Sequence, residues 1–172
     1  IGTMAMQTIA KGCGYLLTGG IPITGLPDGF RVFGQGYIGQ LPVPLCIMVA
    51  AFILGFILLE KTYFGRHIYA VGGNQEAARL SGIHTKKVQM ICYVVCSTLA
   101  AVAGIITASR VNSGQPAVGV GFEMDAIAAT AIGGTSMSGG IGSLSGTMCG
   151  FVLLGLLSNS INLMNINSFY QK

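Results

Sequence analysis

The chain has 172 residues, of which 52% are hydrophobic and 8% charged, and its formal net charge is +4. Soluble globular domains carry about 25% charged residues, so this composition is typical of a membrane protein and argues against a nucleic-acid-binding domain. The 27 glycines in so apolar a chain indicate close helix packing and broken helices.

The chain begins with IGTMAMQTIAKG, which has neither an initiator methionine nor the charged region of a signal peptide. We expect the first 17 residues to belong to a membrane span, with Lys11 extending its ammonium group toward the membrane surface. A start inside a span further predicts that the chain is a fragment of a longer protein.

Two uncharged runs predict membrane-spanning helices. Residues 41–59 would extend about 28 Å as a helix, close to the thickness of the hydrocarbon core, and residues 88–108 have a similar length. Pro42 and Pro44 fall in the predicted first turn of the earlier span, where a missing N–H group costs little.

Small residues recur along one face of the second span. They occupy every fourth position, at Cys92, Cys96, Ala100, Gly104 and Ala108. Such a stripe lets the backbone of another helix approach closely, which predicts a packed bundle. The five cysteines of the chain all lie in apolar helical runs without a CxxC pair, so we interpret them as small buried hydrophobic residues.

The segment between these two spans, residues 60–87, is polar and basic. It holds five of the nine Lys and Arg residues of the chain. The positive-inside rule places this segment in the cytoplasm, which puts residues 18–40 and 109–125 on the outer side of the membrane.

The last part of the chain, residues 126–171, has no charged side chain but is too long for one span of about 20 residues. Its middle, GGTSMSGGIGSLSG at 133–146, has six glycines and five Ser or Thr residues. Irregular backbone at membrane depth must be satisfied by protein or by water in a cavity. We therefore predict a half-helix at 126–133, a glycine-rich turn and a span at 144–163. The fold class is an all-α, polytopic transmembrane helix bundle with a broken or re-entrant glycine-rich segment.

Several residues of this broken segment are candidates for close helix packing or for the lining of a translocation path. Gly142, Gly146 and Gly150 are spaced four apart at the start of the last span, as in helix contacts made by small residues. The full set is Gly133, Gly134, Thr135, Ser136, Gly139, Gly140, Gly142, Gly146 and Gly150.

No catalytic or metal site is predicted. The sequence has no GxxxxGK[ST] motif, and its two histidines, His67 and His84, form neither HExxH nor a triad with a carboxylate. Apart from Lys11 the predicted spans hold no charged residue of the kind that a proton relay needs. The chain is therefore predicted not to be an enzyme and to bind no cofactor of its own.

Three charged residues, Arg110, Glu123 and Asp125, lie in the outer loop SRVNSGQPAVGVGFEMDA. One interpretation is a docking surface for an extracytoplasmic partner, or a polar lining at the mouth of a path. The other is that they cap helix ends and pair with each other, with Asp125 as the cap of a half-helix starting at Ala126. The residues alone leave both interpretations open.

A short capped helix is predicted inside the cytoplasmic segment, in the stretch YAVGGNQEAARLSGI. Asn74 is a favourable N-cap, Glu76 lies in the first turn, where the helix dipole favours an anion, and Gly82 suits a left-handed stop. The helix would cover about residues 75–81, which is too short to be stable alone. Other contacts must therefore hold it in place.

The apolar side chains of this helix allow two interpretations. Ala77, Ala78 and Leu80 give it a slim apolar surface that suits insertion into a groove on a partner protein. The same surface suits a loop helix that packs on its own bundle. Glu76 and Arg79 stand three residues apart and are expected to pair on the exposed face.

Four motifs are spread along the chain, and the similarity that they carry runs over essentially its whole length. They are LTGGIPITGLPDGF, FGRHIYAVGGNQEAARLSGIHTKKV, SRVNSGQPAVGVGFEMDAIAATAIGGTSMSGGIGSLSGTMCG and NSFYQ. The chain strongly resembles the membrane permease subunits of bacterial ATP-binding-cassette (ABC) importers for ribose and related monosaccharides. Such permeases have more spans, so the resemblance implies that this chain lacks the first few helices and the last one.

The resemblance implies one incomplete transmembrane permease domain over residues 1–172, with a cytoplasmic coupling loop at 60–87. It also implies a homodimeric or heterodimeric pore in the bacterial inner membrane. The pore would lie between a periplasmic or lipid-anchored sugar-binding protein and two cytoplasmic ATPase subunits, which hold ATP and Mg²⁺. The short helix, with its EAA-type motif, would fit a groove on the ATPase. The implied coupling residues are Gly73, Asn74, Glu76, Ala77, Ala78, Arg79, Leu80 and Gly82.

We therefore expect a permease that conducts a monosaccharide, a ribose-like pentose or a hexose, into the cytoplasm. The other interpretations are a secondary transporter or passive channel for a small polar solute, and a membrane scaffold without transport. The broken segment argues against a scaffold, because irregular backbone at membrane depth usually lines a cavity.

Overall fold

The computed structural model describes residues 2–164 of the chain, so the NSFYQ motif lies outside the described residues. The described residues fall into two compact units. The first contains residues 2–51 and 94–120, and the second contains residues 52–93 and 121–164. The prediction of a single permease domain stays a prediction.

Helices make up most of the described chain. They are α1 (Gly2–Thr18), α2 (Asp28–Gln35), α3 (Val43–Phe56), α4 (Tyr63–Gly73), α5 (Gln75–Leu80), α6 (Thr85–Val111), α7 (Phe122–Ile132) and α8 (Leu144–Leu163). The four strands are two residues each: β1 (Ile23–Thr24), β2 (Tyr37–Ile38), β3 (Leu41–Pro42) and β4 (Ser113–Gly114). The all-α prediction is therefore confirmed.

Three helical segments among the described residues are long and apolar enough to cross a membrane. They are Val43–Lys61, Thr85–Val111 and Leu144–Leu163. Each matches a predicted span to within a few residues, so the chain is a multi-pass membrane protein as expected. Pro42 is a correction, because it lies in β3, and only Pro44 falls in the first turn of α3.

The first unit brings the two predicted outer segments together. β1 pairs with β4 in an antiparallel ladder, and β2 pairs with β3. Ser109, fully buried near the end of α6, donates its hydroxyl to the carbonyl of Phe30 at 2.6 Å. Gly34 of α2 lies so close to the backbone of Arg110 that no Cβ would fit. These contacts agree with a location of both segments on the same side of the membrane.

In the second unit, the span that starts with α3 ends in a π-helical turn, Ile57–Lys61. Thr62 follows with extended backbone, donates its hydroxyl to Leu58 O at 2.5 Å and accepts the N–H of Gly65 at 3.3 Å. Gly65 is buried against the carbonyl of Leu59, where any Cβ would overlap. The start of α4 is therefore fixed by a side-chain cap and by a glycine contact.

The α7 helix confirms the predicted half-helix but begins earlier than expected. Its 11 residues span about 16 Å, roughly half of the hydrocarbon core. The residue before the helix is Gly121, which has a left-handed φ of 98°, and its N–H is accepted by Glu123 Oε2 at 3.2 Å. Asp125 lies within the first turn, so its predicted role as the N-cap is wrong. A glycine at this position gives no side-chain signal of a helix start.

The α7 and α8 helices pack with backbone against backbone. A Cβ on Gly146 would overlap the carbonyl of Gly133, and one on Gly150 would overlap the carbonyl of Ala129. A Cβ on Gly142 would lie 2.9 Å from the side chain of a threonine in the preceding turn. Of the predicted stripe, Gly146 and Gly150 are therefore confirmed as close helix contacts, whereas Gly142 precedes α8 and packs on the turn.

The apolar core is very small. Among the described residues, the buried hydrophobic side chains are Val71, Ala78, Val88 and Ala129. The large apolar side chains of the three spans lie mostly exposed. Because lipid tails are as apolar as these side chains, such a surface is compatible with a membrane but not with water.

Two expectations about small residues are wrong within the described chain. The middle of the α6 stripe is not covered, since a Cβ on Gly104 would meet nothing within 4 Å and Ala100 is exposed, whereas Cys92 and Ala108 at its ends are half-buried. The cysteines are not fully buried either: Cys13, Cys96 and Cys149 are exposed, and Cys46 and Cys92 are half-buried. Cys92 alone of the cysteines packs against the small core of Val71, Ala78 and Val88.

Replacement of Gly150 by alanine should destabilise the α7/α8 contact, because the new Cβ overlaps the Ala129 carbonyl. We expect the free energy of unfolding to fall by about 1–3 kcal/mol, as for other overpacked sites. The measurement is thermal unfolding of the purified full-length protein in detergent. Gly155→Ala is the matched control, because a Cβ there meets nothing within 4 Å. Equal stability of the two variants would contradict the contact.

Candidate functional site

The short helix α5 begins at the predicted cap. Asn74 has extended backbone, and its Oδ1 accepts the N–H groups of Glu76 and Ala77, both at 3.0 Å. Two of the N–H groups that a helix start leaves without a partner are thereby satisfied. The N-cap prediction is confirmed.

The end of α5 is equally well defined. Gly82 has a left-handed φ of 84° and donates its N–H to Arg79 O at 3.0 Å. Ile83 donates its N–H to Ala78 O at 3.0 Å. These two bonds form a Schellman motif, which satisfies carbonyl groups at the helix end and requires a residue that tolerates positive φ. The predicted stop at Gly82 is confirmed, and the helix ends at Leu80, one residue before the predicted Ser81.

The two faces of α5 have different environments. Ala78 is 5% exposed and packs in a cluster with Val71 of α4 and Val88 of α6. Leu80 is 90% exposed, and Ala77 is exposed as well. The helix is thus anchored to its own chain through Ala78, as one of the two interpretations expects. Insertion of its exposed apolar groups into a groove on a partner stays a prediction.

The charged residues of α5 do not behave as expected. Glu76 and Arg79 are both exposed, but the structure does not bring them into the predicted ion pair. They instead line an open recess of about 650 Å³ together with Gln75 and residues 83–87. That recess contains the cations Lys86 and Lys87 near the start of α6.

Residue 73, the first of the predicted coupling residues, is the last residue of α4. A Cβ on Gly73 would meet nothing within 4 Å, whereas one on Gly72 would lie 2.6 Å from Gly140 N. The helix α4 is not among the elements predicted from the sequence, which include only one short helix in the basic segment at 60–87. An available signal was Thr62, a cap residue whose hydroxyl accepts the N–H of Gly65.

The glycine-rich turn between α7 and α8 is ordered by its own backbone. Thr135 donates its N–H to Thr130 O at 3.1 Å, and Ser136 donates its N–H to Ile141 O at 2.9 Å. Gly134, with a φ of 82°, stands where a Cβ would meet nothing within 4 Å, so it serves the turn and not a packing contact. The turn therefore has a defined conformation held by backbone hydrogen bonds.

This turn lies against the end of α4. Cβ atoms on Gly139 and Gly140 would lie 2.8 Å from Gly72 O and 2.7 Å from Gly73 Cα, respectively. Tyr69 donates its hydroxyl to Gly142 O at 3.0 Å. The same residues line a mostly apolar recess of about 380 Å³. Close packing is observed at Gly133, Gly139, Gly140, Gly142, Gly146 and Gly150. A role of the predicted set in a translocation path stays a prediction.

The three predicted outer residues are not shown to form one site. Arg110 is exposed at the end of α6 in the first unit, and its carbonyl accepts the Gln35 side-chain N–H at 3.1 Å. Glu123 and Asp125 are exposed in the first turn of α7, in the second unit. The helix-end interpretation is confirmed for Glu123, and docking stays a prediction.

A polar site beside β4 is not among the features predicted from the sequence. Asn112 has a left-handed φ of 52°, and its Oδ1 is buried without a hydrogen-bond partner. The hydroxyl of Ser113 is also buried and unpartnered. The positive φ of Asn112 is one that asparagine adopts more readily than most residues. No group of His, Cys, Asp or Glu residues suited to a metal ion occurs in residues 2–164.

Comparison with known proteins identifies relatives over nearly the whole chain. Residues 6–171 match a family described as branched-chain amino acid transport system / permease component. The ribose import permease protein of Bacillus subtilis is 47% identical over 173 residues, which cover 99% of this chain and 54% of that protein.

Two further relatives come from Escherichia coli. Its ribose import permease protein is 43% identical over 99% of this chain and 54% of that protein. Its L-arabinose transport system permease protein is 40% identical over 99% of this chain and 52% of that protein. The chain thus spans about half the length of the curated relatives it matches. No solved structure matches it significantly.

Replacement of Asn74 by alanine should weaken α5 by about 1 kcal/mol, because it removes the only side-chain cap of the Glu76 and Ala77 amides. We expect these two amides to exchange hydrogen about five-fold faster, as measured by hydrogen–deuterium exchange on the full-length protein. Asn74→Asp keeps an acceptor at the same place and is the control. Unchanged exchange in Asn74→Ala would contradict a capping role.

Proposed function

The chain belongs to the family of branched-chain amino acid transport system / permease components, and on this premise we propose that it forms part of an ABC-importer permease subunit. The proposed cargo is a monosaccharide such as ribose or another pentose, carried into the cytoplasm across the bacterial inner membrane. The names of relatives that are 40% to 47% identical, ribose and L-arabinose permease proteins, support this class of cargo.

The single structural observation that carries the proposal is the preformed helix α5. It lies between two helices long enough to cross a membrane, in the chain's most basic segment, and it is capped at both ends. The N-cap and the Schellman motif already order the helix before any partner binds. Less conformational entropy is therefore lost when a partner binds it. Leu80 and Glu76 are exposed on this helix, as a docking element requires.

ATP hydrolysis is assigned to separate subunits. The sequence contains no phosphate-binding GxxxxGK[ST] loop, so ATP and Mg²⁺ would bind to cytoplasmic ATPase subunits that receive α5 in a groove. Closure of the ATPase subunits would then favour one of two arrangements of the permease. The permease supplies the path, and the ATPase supplies the free energy.

The remaining partners follow from the same class of importer. A second permease subunit would complete the pore, and a periplasmic or lipid-anchored sugar-binding protein would deliver the cargo from outside. Glu123 and Asp125 are exposed at the start of α7, which supports a role of that end in docking. The broken segment between α7 and α8 would contribute polar groups to the path, because irregular backbone at membrane depth usually faces a cavity.

Replacement of Leu80 by aspartate in the full-length permease should weaken its association with the ATPase. The side chain is 90% exposed, so the change should leave the fold intact but place a charge in the proposed groove. We expect ATPase co-purification and ATP-driven sugar uptake to fall at least ten-fold, as for a buried contact residue in other interfaces. Glu76→Lys should act in the same direction.

The control for this experiment is Ser81→Ala, at the neighbouring exposed position, whose hydroxyl makes only a local bond to Ala77 O. It should retain association and uptake. The proposal for α5 fails if Leu80→Asp and Glu76→Lys both retain wild-type association with the ATPase. The transport proposal itself fails if the wild-type complex shows no ATP-dependent uptake of any pentose or hexose.

A further inference from the structure

We propose that Tyr69, Gly72 and Gly140 form a mechanical link between the coupling helix α5 and the broken segment. The inference rests on the proposed function, because it states how a movement of α5 reaches the part of the permease assigned to the path. We call Gly72, Gly73, Gly139 and Gly140, with the hydrogen bond from Tyr69 to Gly142, the glycine link.

The first step is the attachment of α5 to α4. Only Asn74 separates the two helices, and its N–H is donated to Ala70 O at 3.1 Å. Ala78 of α5 and Val71 of α4 are buried in the same cluster. Because the connection is one residue long and both sides share a packed cluster, α5 cannot be displaced without moving the end of α4.

The second step is the contact between α4 and the glycine-rich turn. At Gly72 and Gly140 the two backbones approach so closely that a Cβ on either would lie 2.6 to 2.7 Å from backbone atoms of the other segment. Gly139 and Gly140 also have left-handed φ values of 91° and 77°. A contact between backbones has no flexible side chain to absorb a displacement, so it transmits compression directly.

Tyr69 makes this contact able to transmit tension as well. Its hydroxyl donates to Gly142 O at 3.0 Å, and the bond is partly buried. The same bond satisfies a carbonyl of the irregular turn, which is costly to leave unpaired at membrane depth. A single hydrogen bond thus holds the turn to α4 when α4 moves away from it.

The third step leads from the turn into α7 and α8. Ser136 N–H to Ile141 O closes the turn, and the backbone of Gly133 touches that of Gly146. Gly150 extends the same contact to Ala129. A displacement at Gly140 therefore reaches the end of α7 and the start of α8 through a continuous series of close contacts.

The test compares two glycine substitutions in the full-length permease, reconstituted in liposomes with its ATPase and sugar-binding protein. Gly72→Ala introduces a Cβ 2.6 Å from Gly140 N, whereas Gly155→Ala, outside the glycine link, introduces one with nothing within 4 Å. We expect the Gly72→Ala permease to bind the ATPase normally. It should take up about ten-fold less sugar per ATP hydrolysed, which corresponds to the loss of a typical coupling free energy between two sites. Gly155→Ala should match the wild type.

Tyr69→Phe is the second variant, because it removes one hydrogen bond without adding bulk. The sugar taken up per ATP should fall about two- to ten-fold, the range for loss of one hydrogen bond. In the isolated permease the turn at 136–142 should also exchange hydrogen faster, a readout that needs no transport. A residue with only a structural role would lower folding yield or ATPase binding instead of this ratio.

The outcomes separate the two proposals. The glycine link is overturned if Gly72→Ala and Tyr69→Phe keep the wild-type ratio of sugar to ATP, or if Gly155→Ala is as impaired as Gly72→Ala. It is also overturned if both variants lose ATPase binding in proportion to uptake. If hydrogen exchange changes as expected while the wild-type complex shows no ATP-dependent uptake, the contact stands and the transport function fails.

Discussion

Close approach of backbone to backbone at glycine is the interaction on which the second unit depends. Side chains bury little there: a cluster around Val71, Ala78 and Val88, with Ala129 apart from it, makes up its buried apolar set. The tertiary contacts instead occur where Gly65, Gly72, Gly133, Gly140, Gly146 and Gly150 admit another backbone. In lipid this is the expected balance, because the hydrophobic effect does not drive helices together, whereas van der Waals contact between close backbones does.

The same constraint explains how an irregular segment can exist between α7 and α8. A non-helical stretch at membrane depth needs partners for its N–H and C=O groups. The turn supplies several from within, as in the bond from Ser136 N–H to Ile141 O, and receives another from the Tyr69 hydroxyl. The short helix α5 differs from this segment, because two turns of helix are too few to be stable without caps at both ends. Asn74 and Gly82 provide these caps.

Features with a local cause could be predicted from the sequence, and features with a distant cause could not. The three spans follow from uncharged length, and the limits of α5 follow from Asn74 and Gly82, because each signal lies within the element it defines. The start of α7 was misplaced because its cap position is a glycine, and β1 and β4 were missed because two-residue strands have no periodicity. The Gly72–Gly140 contact joins residues that are distant in sequence. The sequence around either glycine does not distinguish it from glycines at which a Cβ would meet nothing within 4 Å.

The π-helical turn at Ile57–Lys61 sets the rotational phase at which the span ends before α4. A π turn accommodates an additional residue within a helix, and each residue of an α-helix corresponds to about 100° of rotation around the axis. The direction in which α4 and α5 leave the span therefore depends on the number of residues in this one turn. A single-residue deletion there would leave every contact residue of α5 chemically intact and point the helix in another direction. Gene variants that change chain length at this place should consequently be far rarer than substitutions.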